Sequence, residues 1–231
     1  SYETGDADFY KLLKAVADLP GLKRVRFTSP HPNDWNNKLT DLMADHPVIC
    51  NHIHLPFQAG ADRILDLMRR GHTKEEYLSK IDYIKNKIPN ISITTDAIVG
   101  FPGESASEFQ ETLEVIKSVK FSQIYAFKYS VRPGTKAESL PDDVGKKDKE
   151  ERLAKLLELQ EGIQSRMLDE IVGTEQVVLI DGAHPKEQGV MNGRTDGHFP
   201  VSINSVNSEI GDLERVSISS RKKHSLVGEL I

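Results

Sequence analysis

The sequence predicts an α/β protein in which a partial parallel βα barrel is followed by a small antiparallel β-barrel. Over the first two thirds of the chain, short β-like runs alternate with longer helical runs, which is typical of βα units around a parallel sheet. The predicted strands are apolar on one face and polar on the other, whereas strands buried in a parallel sheet are apolar on both faces. Beyond Gly173 the pattern changes to alternating residues broken by Gly and Asn turns, as in small closed barrels.

Four strands are predicted in the first part, at residues 24–29, 52–57, 92–99 and 123–130. The second of them shows the two-sided pattern, with Ile53, Leu55 and Phe57 on one face and His52, His54 and Gln58 on the other. We expect helices to cover the apolar faces. The polar faces should then surround a wet cavity, as in an open βα barrel with room for a large ligand.

Two capping boxes mark helices between these strands. Thr73 with Glu76 begins a helix over residues 73–88, and Ser105 with Glu108 begins a second helix. A charged, helix-prone segment follows from Asp142 to about residue 172. Its apolar stripe predicts packing against the core through Leu153, Leu156, Leu157 and Ile163.

Five short strands are predicted in the second part, at residues 175–180, 190–195, 200–204, 214–219 and 225–230. We therefore divide the chain into two domains. Residues 1–166 form the partial barrel with its linking helix, and residues 167–231 form the small β-barrel.

Composition limits the compartment and the mode of RNA binding. No apolar run approaches the ~20 residues that span a bilayer, and the polar, acidic start of the chain is unlike a signal peptide. The one cysteine, Cys50, excludes internal disulfides and is expected to be a buried small hydrophobe, so we expect a cytoplasmic protein. The formal net charge is −5, whereas nucleic-acid-binding domains are usually basic. Any RNA contact must therefore come from a local patch or from shape.

Four segments resemble one known family. They read RFTSPHP at 26–32, HIHLPFQAG at 52–60 running on to MRRG at 68–71, DAIVGFPGE at 96–104, and YSVRPGT at 129–135. In this order they are similar to the later strands of the radical-SAM methylthiotransferase barrel. The tail, with Gly193, Arg194 and Thr195, resembles the small TRAM β-barrel with which that family holds tRNA. The sequences Leu-Pro-Phe-Gln at 55–58 and Arg-Pro-Gly-Thr at 132–135 favour the branch of the family that acts on tRNA. The branch that acts on a ribosomal protein is the second possibility.

The resemblance implies a transferase that uses radical chemistry. In this family a [4Fe–4S] cluster held by a CxxxCxxC loop reductively cleaves S-adenosylmethionine, and an adenosine beside the tRNA anticodon is methylthiolated. The chain has one cysteine and no such loop. We therefore expect a C-terminal fragment that lacks the cluster ligands and is inactive alone.

The resemblance also implies residues for S-adenosylmethionine. Gln58 matches a glutamine that reaches the ribose or amino acid moiety, and Arg70 matches an arginine that can grip the methionine carboxylate. Val99 and Gly100 end a strand where backbone can meet the adenine, and Asp96 and Thr28 complete the set. We expect Gln58, Arg70, Asp96 and Val99 to cluster at the C-terminal mouth of the barrel. Two structural alternatives stay open. Arg70 could be only a cation favoured at the C-terminal end of a helix, and the segment GFPG at 100–103 could be an ordinary turn between a strand and a helix.

Contacts with the tRNA anticodon stem-loop are expected from Arg194, Arg221, Lys222 and Lys223, although a solvated turn explains the last three equally well. The sequence His198-Phe199-Pro200 departs from the usual TRAM continuation. Loss of neighbouring strands would leave residues 24–29 as an open edge, which predicts self-association there. Arg24 and Arg26 of this edge should project to the inner face.

Two alternatives come from other classes of protein. His52 and His54 form an H-x-H pair, and with Asp96 they could bind a metal in a barrel hydrolase. The chain could also be a non-catalytic RNA-binding module, which a salt-dependent binding assay would test.

Overall fold

The computed structural model describes residues 8–28, 30–205 and 208–231. Six α-helices lie in these ranges: α1 (Phe9–Ala17), α2 (Asn37–Asp45), α3 (Asp62–Leu67), α4 (Lys74–Lys87), α5 (Ala106–Val119) and α6 (Lys146–Ile171). Short 3₁₀ turns occur at Pro32–Asp34 and Lys136–Ser139. Both predicted capping boxes are confirmed, at the starts of α4 and α5. The polar start of the chain lies outside the described residues.

The first part contains a parallel sheet, as predicted. Its strands are β1 (His52–His54), β2 (Ser92–Val99) and β3 (Gln123–Lys128), in the order β1-β2-β3. The register pairs His54 with Thr94 and Asp96 with Tyr125. Because all three strands run the same way, their carboxyl ends meet at one edge of the sheet.

The helices cover the apolar side of this sheet. Ile53, Leu55 and Ile93 are at most 2% exposed and belong to one core that also includes residues of α2, α4 and α5. Tyr77 of α4 donates its hydroxyl to the Leu55 carbonyl at 2.9 Å, which satisfies a buried polar group inside that core. The helical layer therefore fixes the strands from one side and leaves their polar side chains on the other.

The prediction of a strand at residues 24–29 was wrong in the described part, residues 24–28. Only Val25 forms a bridge there, in parallel with Ile49. The flanking side chains are occupied elsewhere: Arg24 donates to the carbonyls of Arg194 and Val177, at 2.7 and 2.6 Å, and Arg26 donates to Thr195 O at 2.6 Å. Residue 29 lies outside the described residues. Both arginines therefore contact the second barrel, and their projection to the inner face stays a prediction.

The second strand is shorter than predicted because Pro56 interrupts it. Proline has no N–H to donate to a ladder. Pairing with β2 continues on both sides of the proline, where the N–H of Leu55 donates to Thr94 O and the N–H of Gln58 donates to Asp96 O.

The second part is a closed barrel of β4 (Glu175–Ala183), β5 (Val190–Thr195), β6 (Pro200–Asn204), β7 (Leu213–Arg221) and β8 (Leu226–Leu230), in the order β4-β5-β6-β8-β7. The prediction of a fully antiparallel barrel was wrong in one pair, since β6 and β8 are parallel. The reason is topological: strand directions cannot alternate all the way round a ring with an odd number of strands.

Two glycines permit close packing inside the barrel, because a Cβ on Gly193 would lie 2.4 Å from Leu179 O and one on Gly228 would lie 2.3 Å from Val216 Cγ1.

Helix α6 joins the two parts and contributes to both cores. Leu156 and Ile163 pack in the first core, and Leu168 packs in the barrel core. The prediction for Leu157 was wrong, because that side chain is 46% exposed. Since α6 runs through residues 166 and 167 without a break, the predicted domain boundary falls inside a helix; it stays a prediction.

Candidate functional site

A cavity of about 550 Å³ opens at the carboxyl ends of the parallel strands. Gln58, which follows β1, lines it together with Asp96 and Ile98 of β2 and Phe127 at the end of β3. Arg70, just beyond α3, closes one side. The structure therefore brings three of the sequence-predicted site residues, Gln58, Arg70 and Asp96, into one concavity.

Gln58 is held in a left-handed backbone conformation, with φ of 69°. Its N–H donates to Asp96 O, and its own carbonyl accepts from the N–H of Ile98. A non-glycine residue in this region costs about 1 kcal/mol or more, and such conformations concentrate at functional sites. The two ladder bonds hold the residue there and fix its side chain at the cavity.

Arg70 brings a partly buried cation to the cavity. One guanidinium nitrogen donates to Pro56 O at 3.4 Å, while the buried Nε has no partner among the described residues. Burial lowers the pKa of this guanidinium and the carboxylate of Asp96 opposes that shift. Because arginine stays protonated in proteins, the site presents a permanent positive charge with an unused donor. That arrangement suits an anionic group on a ligand.

Asp96 has a histidine partner as well as its place in the cavity. Its Oδ1 lies 3.4 Å from Nε2 of His54, and Nδ1 of His54 lies 3.0 Å from Thr94 Oγ1. The carboxylate is 30% exposed, so it can still accept a hydrogen bond from a ligand in the cavity.

Val99 and Gly100 do not line the cavity. Val99 is fully buried, and the N–H of Gly100 donates to Glu104 at 2.7 Å. Glu104 is ion-paired with Arg152 of α6 at 2.6 Å, so the turn is locked against that helix. A Cβ on Gly100, whose φ is 70°, would lie 2.4 Å from Lys149 Cγ. Thr28 is exposed and is likewise not among the lining residues.

Near the amino ends of the strands, the polar face of the sheet is buried and is not exposed to solvent. His52, Ser92 and Thr94 are at most 8% exposed. The turn between β5 and β6 packs on this face: the His198 ring lies 4.8 Å from the His52 ring, and Asp196 accepts from the N–H of Asn51 at 3.0 Å. Burial lowers the pKa of His52 to about 3 and that of His198 to about 4. The expected continuous cavity is therefore confined to the carboxyl end.

The H-x-H pair is occupied by hydrogen bonds. His52 and His54 both contact Thr94 Oγ1, at 3.2 and 3.0 Å. In the part of the chain that the structure describes, no group of three His, Cys, Asp or Glu side chains is arranged to hold a metal ion. Cys50 is buried, as expected, and its burial raises the thiol pKa to about 11.

The basic residues predicted to contact RNA in the second barrel have acidic neighbours. Arg221 binds Asp169 at 2.6 Å, Lys223 binds Glu161 at 2.9 Å, and Lys222 lies 3.9 Å from Glu187. Arg194 lies 3.4 Å from Asp181. The pairs of Arg221 and Lys223 tie the end of β7 and the β7–β8 turn to α6. All four acidic partners reduce the net positive charge around these residues.

Sequence reasoning missed several residues of the cavity: Arg69, Phe101, Phe127, Tyr129, Arg132 and Lys136. A signal was present in residues 127–132, where aromatic and basic side chains lie close together along the chain. Across the described ranges, no helix has the length and apolar character needed to cross a membrane.

Comparisons with known proteins identify a superfamily and relatives to which this chain is similar. The Radical SAM superfamily matches residues 2–116. The tRNA-2-methylthio-N(6)-dimethylallyladenosine synthase of Geotalea uraniireducens strain Rf4 is 42% identical over 227 residues, covering 98% of this chain and 51% of the relative. The enzyme of the same name from Aquifex aeolicus strain VF5 is 43% identical over 227 residues, covering 96% and 50%.

The chain belongs to the radical SAM superfamily. It spans about half the length of the curated relatives it matches. Among solved structures, Escherichia coli coproporphyrinogen III oxidase (HemN), described as a radical SAM enzyme, has a TM-score of 0.49 at 13% identity, over 84% of this chain and 48% of that one.

Proposed function

We propose that this chain forms the S-adenosylmethionine-binding and RNA-holding part of a transferase that methylthiolates an adenosine of tRNA. The observation that carries the proposal is the convergence of Gln58, Arg70 and Asp96 on one cavity at the carboxyl ends of the strands. Relatives about 40% identical along nearly the whole chain, which are named tRNA-2-methylthio-N(6)-dimethylallyladenosine synthases, support it.

The cavity residues fit S-adenosylmethionine. The unpartnered Nε of Arg70 and its permanent charge suit the methionine carboxylate, and the Gln58 amide offers both a donor and an acceptor. Asp96 can accept from the ammonium group or a ribose hydroxyl. The volume of about 550 Å³ is within the usual range for a ligand of this size. When bound, S-adenosylmethionine supplies the methyl group and the radical chemistry of the family.

The residues of this chain do not fit a [4Fe–4S] cluster. Such clusters are held by several thiolates, whereas the chain has one cysteine. That cysteine is buried, with a thiol pKa raised to about 11, so its thiolate is disfavoured.

The proposed partner is tRNA, bound at the anticodon stem-loop, and the proposed location is the cytoplasm. Self-association through residues 24–29 stays a prediction. It is supported by the sparse pairing of this segment, whose described part forms a single bridge, at Val25.

The metal hydrolase is not favoured, since His52 and His54 are used in hydrogen bonds to Thr94 and the relatives carry transferase names. The same names disfavour a ribosomal-protein substrate and a module without chemistry.

The cofactor site is tested by equilibrium binding of radiolabelled S-adenosylmethionine to this chain. Arg70→Gln should weaken binding by about tenfold or more, because it removes a hydrogen bond to a charged group. Gln58→Ala should weaken it less. Arg166→Gln, an exposed cation on α6, is the matched control and should bind like the wild type. Equal affinity of the Arg70→Gln and Arg166→Gln variants would refute the assignment of the cavity.

A further inference from the structure

Positive charge is concentrated around the cavity although the whole chain is acidic. Five cations and one carboxylate line the cavity: Arg69, Arg70, Lys128, Arg132 and Lys136 against Asp96. The chain as a whole carries a formal net charge of −5. The cavity mouth therefore presents a local field of the sign opposite to that of the molecule.

Three of these cations are exposed and unpaired. Arg69, Arg132 and Lys136, named here the cationic rim, have no side-chain hydrogen bond or ion pair within the described residues. Lys128, by contrast, is paired with Glu150 at 3.2 Å, and Arg70 is partly buried at the cavity wall. The rim also contrasts with the β7–β8 turn, where Arg221, Lys222 and Lys223 all have acidic neighbours.

The rim continues past the cavity into a groove. A second depression, of about 600 Å³, shares Leu67, Arg69 and Lys136 with the first. It extends to Gly71, Ser139 and Leu140 and includes one carboxylate, Asp66. The two together exceed what a nucleoside-sized cofactor needs. A continuous groove edged by unpaired cations fits a long polyanion better than a single small anion.

An aromatic surface lies beside the rim. Phe127, at 56% exposure, lines the cavity, and Tyr125, at 46%, is two residues earlier on the same face of β3. Exposed aromatic rings next to cations are the usual elements of a surface that binds single-stranded nucleic acid, since every base can stack on a ring.

Arg69 occupies a position where glycine is the favoured residue. It follows the end of α3 in a left-handed conformation, with φ of 58°. Glycine adopts this conformation without steric cost and is therefore common just past helix ends. An arginine in this conformation carries a backbone cost that glycine would avoid, and such costs concentrate at functional sites.

We propose that the cationic rim binds the phosphate backbone of the RNA substrate, with Phe127 as a surface on which a base stacks. The proposal rests on the proposed function, which supplies RNA as the partner, and it moves the principal RNA contact from the second barrel to the cavity mouth. Phosphate contacts there would hold the RNA directly over the cofactor cavity.

The test measures binding of an unmodified tRNA transcript to the full chain over a salt series. The triple variant Arg69→Gln, Arg132→Gln, Lys136→Gln should weaken binding at least tenfold at low salt. The slope of log affinity against log salt should fall by about 2 to 3, since each phosphate contact contributes about 0.7 to 0.9. The charge-matched control Lys117→Gln, Lys155→Gln, Arg166→Gln removes three exposed cations elsewhere and should keep the wild-type slope.

A single variant separates binding from folding. Arg69→Gly relieves the left-handed backbone, so its melting temperature should equal or exceed that of the wild type while RNA affinity falls. Arg69→Lys keeps the charge and should keep most of the affinity.

Three outcomes are decisive. Loss of affinity and slope in the rim variant but not in the control supports the proposal. Equal behaviour of the rim and control variants overturns the rim and leaves the proposed function standing. Failure of the wild-type chain to bind tRNA, while it binds S-adenosylmethionine, overturns the rim together with the RNA-holding role.

Discussion

Two histidine rings in contact, tilted by 34°, show how single residues join the two parts of the molecule. His52 belongs to β1 and His198 to the β5–β6 turn, and their ring centroids are 4.8 Å apart. His198 has a left-handed backbone, with φ of 71°. Arg26 and Arg194 lie near both rings and add to the effect of burial, which keeps both imidazoles neutral. The contact therefore depends on protonation.

Folding stability should fall in acid because of these histidines. In the unfolded chain each has an ordinary pKa near 6.5, whereas in the folded chain the pKa is about 3 for His52 and about 4 for His198. Below pH ~6.5 the unfolded state therefore binds protons that the folded state does not. The free energy of unfolding should fall as the pH drops from about 6.5 toward 4, and this contribution should be flat above 7.

His198→Asn tests this expectation, since asparagine tolerates the left-handed conformation. Urea unfolding between pH 7.5 and 4.5 should show a shallower decline for the variant, by at most ~1.4 kcal/mol per pH unit for one proton. Parallel pH profiles for the wild type and the variant would show that His198 is not kept neutral by the fold.

Residue types predicted part of the site and missed the rest for physical reasons. Gln58 and Arg70 could be named from the sequence because the family resemblance assigns a role to each of these positions. Val99 lies on the face of β2 opposite Asp96 and Ile98, as strand alternation indicates. Gly100 could not be excluded from the cavity, because its N–H is bound by Glu104, whose ion-pair partner Arg152 is 48 residues away. The cationic rim is assembled from the turn after α3 and the segment after β3, so it has no local sequence pattern.

At the scale of elements, the turn between β2 and α5 is held to α6 by one buried ion pair. The Glu104 and Arg152 side chains are 1% and 14% exposed, and Arg152 donates to both the carboxylate and the carbonyl of Glu104. Burial raises the pKa of Glu104, while the Gly100 N–H and Arg152 oppose that shift. Removing one partner would leave a buried charge uncompensated.

Arg152→Leu should therefore lower the free energy of unfolding by about 3 kcal/mol. The double variant Glu104→Gln, Arg152→Leu should recover much of that loss, because a neutral amide can still accept from the Gly100 N–H. Arg63→Gln breaks the exposed pair with Glu108 and should cost less than about 1 kcal/mol. Chemical denaturation of the three variants checks the order, and a double variant no more stable than Arg152→Leu alone would contradict it.

At the scale of the whole molecule, the second barrel rests on the loop that the sequence predicted as an edge strand. Arg24 and Arg26 reach three backbone carbonyls of β4 and β5, and Lys23 donates to Gly211 O at 2.7 Å. These contacts join residues more than 150 positions apart, such as Arg24 and Val177, so no local pattern announces them. The alternating positions of Arg24 and Arg26 predicted one face of a strand. In the structure both side chains instead bind the second barrel to the first part of the chain.

Docking and self-association are therefore linked through this segment. In the wild type, Arg24 and Arg26 are turned toward the second barrel, so only weak, concentration-dependent self-association through residues 24–29 is expected. Replacing both arginines by glutamine should release the segment, because glutamine is too short to reach the same carbonyls. Bare strand-forming segments invite pairing with a second chain.

Sedimentation velocity over a concentration series should then show a larger dimer fraction for the variant than for the wild type, whereas Arg166→Gln should match the wild type. A variant that stays as monomeric as the wild type at the highest concentration would show that residues 24–29 do not mediate association, and that the arginines serve docking alone.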